Sequence, residues 1–223
     1  MSYYPIAVDL QDKKVVVVGG GAVAKRKIDA LLQCGADVYI ISRELKPGLR
    51  RLLEEGKVKL IGRRLIKAYL KGAFLIIAST DDSALNHNVS ALAKKMGIPV
   101  NVVDRPADSD FIVPSVIRRG DLLIAVSTSG KSPALAKRIR ERLGRQFGNE
   151  YKDFLTMMGR LRNEILLRRL SQKENRRIFH QLVNSTILDS IRRKDRKGIA
   201  VKLEKILKIR ISPEDVINYI KAE

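Results

Sequence analysis

The sequence predicts an α/β protein built on a Rossmann-like, doubly wound parallel sheet. A run of four valines, Val15–Val18, has the β-branched and fully apolar character of a strand buried on both faces. Gly19, Gly21 and Ala24 follow it with the spacing G-x-G-x-x-[G/A], and helical periodicity comes next. Strands and helices then alternate through short connections up to residue 103, which is typical of a parallel sheet covered by helices on both faces.

The glycine motif has a physical reason at each position. Gly19 permits a tight turn, Gly21 lets the backbone approach a pyrophosphate, and Ala24 lets the next helix pack closely on the strand. A purely steric turn is the alternative interpretation. Because free N–H groups at a helix N-terminus suit phosphate oxygens, we predict a dinucleotide site formed by Gly19, Gly21, Ala22, Val23 and Ala24.

The second predicted strand, Val38–Ile41, follows a helix over 24–34 that ends at Gly35. An acidic residue usually ends this strand and holds the adenosine ribose hydroxyls. Here the strand leads into Ser42 and Arg43, and the first carboxylate is Glu44. Ser42 suits a ribose hydroxyl, and Arg43 suits adenine stacking or a 2′-phosphate. Residue chemistry therefore leaves the choice between NAD and NADP open.

Polar residues follow the next long apolar strand, predicted over 74–78 after a short helix (45–55) and a brief strand (58–61). Ligands of doubly wound sheets lie beyond the carboxyl ends of the strands, so Thr80 in the cluster 79–82 is a candidate cofactor contact. Capping of a helix over 84–96 by Asp82 or Ser83 is a compatible alternative.

The fifth predicted strand, 98–103, carries Asn101 and ends at Asp104. A carboxylate in this position is either catalytic or stabilises the following turn, and position alone slightly favours the turn.

The pattern changes at residue 111. Strand-like runs over 111–116 and 122–127 flank a turn at 118–121 and predict a hairpin. A two-stranded hairpin is not stable alone, so it must join another sheet or another subunit. The loop 127–133 then opens a helix with Pro133 in its first turn, and its N–H groups beside Lys131 and Ser132 suit an anion, although capping explains the hydroxyls almost as well.

From residue 134 onward the chain is predicted to be almost entirely helical and basic, with Ser212 as the N-cap of the last helix. The chain has 44 Lys and Arg against 24 Asp and Glu, a formal net charge of +20. Such a field attracts nucleic acid, an anionic membrane surface or a polycarboxylate substrate. General solubility is the alternative explanation for most single charges.

Several classes of protein are disfavoured. The first residues lack the pattern of a secretory signal, and no apolar run approaches the roughly 20 residues of a membrane span. The single cysteine, Cys34, favours a reduced, cytoplasmic setting. His87 and His180 are far apart in sequence and neither lies in a ligand-spaced cluster, so we predict no metal site.

The chain resembles the precorrin-2 dehydrogenase and sirohydrochlorin ferrochelatase family, which includes the N-terminal module of sirohaem synthases. The likeness rests on motifs in the family's order across most of the first 145 residues: Pro5-Ile6, VVGGGAVAKRK from Val17, ASTDDSALN from Ala78, NVVD from Asn101, FIVPS from Phe111 and SGKSPALAK from Ser129.

This resemblance implies NAD-dependent oxidation of precorrin-2 to sirohydrochlorin, with insertion of ferrous iron in some members. It places Ser42, Arg43 and Glu44 at the adenosine ribose and makes Asp104 the catalytic general base. The substrate carries eight carboxylates, which gives the basic surface a purpose. We predict that Asn101, Ser129, Lys131 and Ser132 contact this substrate.

The resemblance also implies a homodimer that exchanges strands through the hairpin. We predict an NAD-binding domain over 1–113, a dimerisation segment over 114–147 and a helical basic domain over 148–223. The competing hypothesis is an NAD(H)-responsive nucleic-acid-binding regulator. A missing recognition-helix signal and the motifs around Asp104 argue against it. A nucleotide-gated ion-transport subunit finds no support in the C-terminal third.

Overall fold

The computed structural model describes residues 3–103 and 105–221. They fall into two compact units, the first ending at Val113 and the second beginning at Pro114. The second unit contains both the hairpin and the helices that follow it. A finer boundary between residues 147 and 148 stays a prediction.

The first unit is a five-stranded parallel sheet with the strand order β3-β2-β1-β4-β5. Its strands are β1 (Lys14–Val18), β2 (Asp37–Ile41), β3 (Lys59–Gly62), β4 (Leu75–Ala78) and β5 (Val100–Val102). The order reverses between β1 and β4, and such a switch point is where open α/β sheets bind ligands. Val18 pairs with Ile41 on one side and Ala78 on the other, so three strands end together.

Helices cover both faces of this sheet, as the sequence predicts. They are α1 (Ala22–Leu32), α2 (Pro47–Glu54), α3 (Lys67–Leu70) and α4 (Ser83–Lys95), with a short 3₁₀ turn at Pro106–Asp108. The valine run explains the arrangement. Val15 and Val17 pack in one core with Ile28 of α1, whereas Val16 and Val18 pack in the other with residues of α4 such as Val89. Because both faces are buried, every residue of the run is apolar.

Several predicted bounds are wrong in detail, and the helix predicted over 45–55 spans only Pro47–Glu54. The first helix begins at Ala22, two residues early, because Gly21 already takes the N-cap position. The predicted fifth strand over 98–103 shrinks to Val100–Val102. Helix α3 is not predicted at all, since four residues are too short for a periodic signal.

The second unit begins with an antiparallel hairpin and one helix. Strands β6 (Ser115–Arg119) and β7 (Leu122–Val126) pair with Ile117 opposite Ile124, and α5 (Pro133–Gln146) packs on them. The predicted first strand over 111–116 starts too early. Pro114 has no N–H group to donate to a strand ladder, so pairing begins only at Ser115.

Five helices complete the second unit and confirm the predicted helical region. They are α6 (Glu150–Leu167), α7 (Gln172–Val183), α8 (Ile187–Arg192), α9 (Arg196–Leu207) and α10 (Pro213–Ile220). Met157 and Leu161 of α6 form their core with Leu182, Leu203 and Val216. Ser212 caps α10 as predicted, because its side chain accepts the N–H of Asp215 at 3.1 Å. No helix in the described part of the chain is long and apolar enough to cross a membrane.

Candidate dinucleotide site

The site begins at Gly19, directly after β1. Its φ angle of +129° lies in a region that side chains rarely adopt. A Cβ at this position would lie 2.6 Å from the carbonyl oxygen of Ser79, which follows β4. The N–H of Gly19 donates to the carbonyl of Ile41 in β2 at 2.9 Å. Gly19 thus holds the ends of three strands together at the switch point of the sheet.

Gly20 ties the segment after β2 to the glycine loop. A Cβ on Gly20 would collide with the carbonyl oxygen of Glu44. The N–H of Lys46 donates to the carbonyl of Gly20 at 3.0 Å, and the hydroxyl of Ser42 donates to the carbonyl of Glu44 at 2.6 Å. The structure therefore brings the predicted ribose residues beside the predicted pyrophosphate loop. The predicted motif contains Gly20 but gives it no separate task, although a third consecutive glycine was a usable signal.

The N-terminus of α1 is open. Gly21 takes the N-cap position without a capping side chain, and a Cβ on it would meet no atom within 4 Å. The first helical hydrogen bond runs from Lys25 N–H to the carbonyl of Gly21 at 3.0 Å. Within the described chain, the N–H groups of Ala22, Val23 and Ala24 therefore have no acceptor. This cradle of free donors fits a pyrophosphate.

Close packing of α1 on the sheet supports this geometry. Ala24 is fully buried in the core that it shares with Val17 and Ile28. A larger side chain would push the helix N-terminus away from the loop, so the small residue keeps the free donors next to β1.

Thr80, after β4, is held by three hydrogen bonds to Asn86 of α4. The Thr80 N–H and hydroxyl both donate to Asn86 Oδ1, at 3.1 and 2.7 Å, and Asn86 Nδ2 donates to the Thr80 carbonyl at 2.9 Å. Asp82 caps α4 by accepting the N–H of Leu85 at 3.0 Å, which confirms one of the two capping alternatives. Asn86 is a positioning residue that the sequence did not single out.

The predicted catalytic residue, Asp104, lies outside the described residues. The N–H of Val103 donates to the carbonyl of Ala78 at 2.9 Å, so the segment after β5 begins beside the end of β4. Asn101 is buried, and its amide donates to the carbonyl of Phe111 at 2.9 Å. That bond gives Asn101 a structural task, and its contact with substrate stays a prediction.

The remaining predicted contacts belong to the second unit. Ser132 caps α5 by accepting the N–H of Leu135 at 3.2 Å. The N–H groups of Ser129 and Lys131 donate to the Ser127 hydroxyl and the Thr128 carbonyl, each at 3.0 Å. The side chain of Lys131 is exposed. Hydrogen bonds within the hydroxyl-rich loop thus order it. The predicted cofactor contacts lie in the other unit, the first: Gly19–Ala24, Ser42–Glu44 and Thr80.

The fold and this geometry define a Rossmann-like NAD(P)-binding protein. In agreement, residues 6–115 match a family described as putative NAD(P)-binding. Residues 119–146 match the family described as sirohaem biosynthesis protein central. Among residues 3–103 and 105–221, no group of three or more His, Cys, Asp and Glu side chains is arranged to hold a metal ion.

The proteins with similar sequences include sirohaem synthases of several bacteria. A sirohaem synthase 1 of Serratia proteamaculans is 40% identical over 181 residues, which are 81% of this chain and 38% of that protein. A sirohaem synthase of Methylobacillus flagellatus is 41% identical over 179 residues, 80% of this chain and 38% of that protein. The chain thus spans well under half the length of these relatives.

A solved structure extends the likeness to nearly the whole chain. The precorrin-2 dehydrogenase SirC superposes with a TM-score of 0.71 and 25% identity, covering 93% of this chain and all of that one. The chain belongs to the family of precorrin-2 dehydrogenases and sirohaem synthase N-terminal modules.

Proposed function

We propose that the protein oxidises precorrin-2 to sirohydrochlorin with NAD as the hydride acceptor. The observation that carries this proposal is the uncapped N-terminus of α1 behind the glycine loop, in a chain similar to SirC along 93% of its length. NAD, when bound, supplies the acceptor for one hydride. The family likeness supplies the substrate class.

The chain's own residues bind and orient the cofactor, and one of them accepts the proton that the reaction releases. The N–H groups of Ala22, Val23 and Ala24 hold the pyrophosphate, and Ser42 binds an adenosine ribose hydroxyl. Thr80, fixed by Asn86, lines the same edge of the sheet. Dehydrogenation releases a hydride and a proton, and Asp104 accepts the proton as the general base.

Basic residues of the second unit attract the substrate. Of the 44 Lys and Arg residues, 26 lie in residues 114–223, together with 12 of the 24 Asp and Glu. A field of this sign draws a molecule with eight carboxylates toward the protein. Lys131, exposed before α5, contacts one of these carboxylates together with Ser129 and Ser132.

The active form is a homodimer joined through the hairpin. Val116 and Leu123 lie on the same face of β6 and β7 and are 39% and 43% exposed. Helix α5 packs on this two-stranded sheet within the chain, and a second copy would cover the exposed Val116 and Leu123 with its own pair. The single cysteine and the use of NAD favour a cytoplasmic location.

The decisive experiment follows the visible spectrum of anaerobic precorrin-2 with the purified protein and NAD. We expect conversion to the sirohydrochlorin spectrum, and an unchanged spectrum would sink the proposal. Ferrous or cobaltous ion is then added. A second spectral change would assign metal insertion to the same protein. An unchanged spectrum would show that the protein has no chelatase activity.

Asp104→Asn tests the role of the general base. The amide keeps the size of the side chain but accepts no proton, so we expect turnover to be lost while NAD binding, measured by calorimetry, stays within about threefold of wild type. Full turnover in this variant would place the proton acceptor elsewhere.

A further inference from the structure

The end of β2 has the wrong charge for a site restricted to NAD. Sites for NAD place a carboxylate there to hold the ribose 2′-hydroxyl, and that carboxylate repels a 2′-phosphate. Here Ser42 and Arg43 follow the strand directly, and Arg43 is exposed. The loop is tied to the glycine loop through the bond from Lys46 N–H to the Gly20 carbonyl, so its position relative to a bound pyrophosphate is fixed.

The neighbouring strand adds two more guanidinium groups. Ile41 pairs with Gly62 at the end of β3, and the N–H of Ser42 donates to the Gly62 carbonyl at 3.0 Å. Arg63 and Arg64 come next, and both are exposed. Because adjacent parallel strands end side by side, three arginines follow one short edge of the sheet.

These arginines have no partner in the described chain. None of Arg43, Arg63 and Arg64 forms an ion pair or a hydrogen bond through its side chain there. Glu44 is the only acidic residue within 42–46 and 62–66. Guanidinium groups bind phosphate through bidentate hydrogen bonds, so exposed arginines at one strand edge suit a phosphate group.

We propose that Arg43, Arg63 and Arg64 form a subsite for the 2′-phosphate of adenosine, so that the protein binds NADP as well as NAD. The subsite rests on the dinucleotide site of the proposed function and extends it to a second cofactor. Arg43 approaches the phosphate from the end of β2, and Arg63 and Arg64 approach it from the end of β3.

Calorimetric titration with two nicotinamide-free fragments tests this subsite independently of activity. The fragments are ADP-ribose and 2′-phospho-ADP-ribose, which differ only in the phosphate. We expect the wild-type protein to bind the phosphorylated fragment at least as tightly as the other. The affinity for 2′-phospho-ADP-ribose should fall more steeply with added salt than the affinity for ADP-ribose, because salt screens the contacts to the extra phosphate.

Substitutions assign the effect to these residues. Arg43→Ala, and separately Arg63→Ala with Arg64→Ala, should weaken 2′-phospho-ADP-ribose by roughly ten- to a hundredfold, the range for hydrogen bonds to charged groups. Arg63→Ala with Arg64→Ala should change the affinity for ADP-ribose by less than about threefold. Arg43→Ala, at the predicted ribose position, should weaken the phosphorylated fragment more than ADP-ribose. Lys95→Ala removes an equal charge at the last turn of α4, at the opposite edge of the sheet, and should leave the ratio of the two affinities unchanged.

The outcomes separate this inference from the proposed function. ADP-ribose binding with 2′-phospho-ADP-ribose at least about tenfold weaker would overturn the subsite and leave the NAD site intact. An unchanged affinity ratio in both arginine variants would also overturn it. Failure of the wild type to bind either fragment would remove the dinucleotide site and the proposed function with it.

Discussion

The carbonyl oxygen of Ser79 lies 2.6 Å from the point where a Cβ on Gly19 would stand. Gly19 follows β1 and Ser79 follows β4, the two strands between which the sheet reverses its order. The close backbone approach between Gly19 and Ser79 therefore lies at the switch point itself. Only a residue without a side chain leaves room there for both segments, the one after β1 and the one after β4.

Gly19→Ala should destabilise the first unit. The new methyl group meets the Ser79 carbonyl, and φ at +129° strains any residue with a Cβ. Each effect costs about 1–3 kcal/mol. Urea denaturation measures the loss, and Gly72→Ala is the control, since Gly72 has a φ of +74° but no atom within 4 Å of its Cβ position. Equal losses in the two variants would contradict the steric argument.

Gly21→Ala should weaken dinucleotide binding and leave the stability of the fold nearly unchanged. Gly21 has φ at −86°, and its Cβ position is open, so the free energy of unfolding should change by less than about 1 kcal/mol. The methyl group would occupy the space where the backbone approaches a pyrophosphate. We expect the affinity for ADP-ribose to fall by at least about tenfold in calorimetry. Wild-type affinity would mean that the phosphate binds elsewhere.

Local signals made much of the fold predictable. The valine run and the glycine spacing lie within ten residues, and they predict a buried strand, a tight turn and a helix without knowledge of the rest of the chain. The same holds for Ser212, whose capping box with Asp215 is written in four consecutive residues. The strand β6 is the counterexample, since it was predicted to start too early. The apolar pattern gave no sign that Pro114 lacks an N–H group to donate to the partner strand.

The contacts that build the site were not predictable, because they join segments distant in sequence. Gly20 and Glu44 meet only when β1 and β2 pair, and this pairing puts the Ser42 segment onto the glycine loop. The Thr80–Asn86 bonds need a defined turn between β4 and α4. The assignments of cofactor and substrate residues therefore stay predictions that rest partly on geometry and partly on the resemblance.

Asn86→Ala should loosen the loop after β4. Asn86 is buried, and the substitution leaves the N–H and carbonyl of Thr80 without their partners. Such a loss costs about 1–3 kcal/mol, and urea denaturation measures it. We also expect weaker binding of ADP-ribose. Asn88→Ala changes an exposed asparagine on the same helix and should alter neither quantity. An Asn86 variant as stable as this control would show that the three bonds contribute little.

Acid should weaken the second unit through Glu150. Partial burial raises the pKa of Glu150, but hydrogen bonds from Arg192 and from backbone N–H groups outweigh it and hold the pKa below its ordinary value of 4.5. A carboxylate with a depressed pKa in the folded state stabilises that state above the unfolded value. This contribution is lost as the pH falls below 4.5 through the folded pKa.

Glu150→Gln removes this pH dependence. The variant should be slightly less stable than the wild type at pH 7, and the difference should shrink steadily below pH 4.5, as measured by urea denaturation across the range. Glu214→Gln is the control, because Glu214 is exposed and has no ion pair in the described part of the chain. A constant difference between Glu150→Gln and the wild type at all pH values would contradict the linkage.

Charges on the exposed hairpin face should separate the proposed dimer. Val116→Lys with Leu123→Lys places two cations on the face that β6 and β7 share, where a second copy would bury them without partners. Light scattering after size-exclusion chromatography should therefore show a dimer for the wild type and a monomer for the double variant. Leu167→Lys is the matched control, since Leu167 is 80% exposed at the end of α6. A double variant that stays dimeric would place the interface on another surface, and a monomeric wild type would remove the dimer altogether.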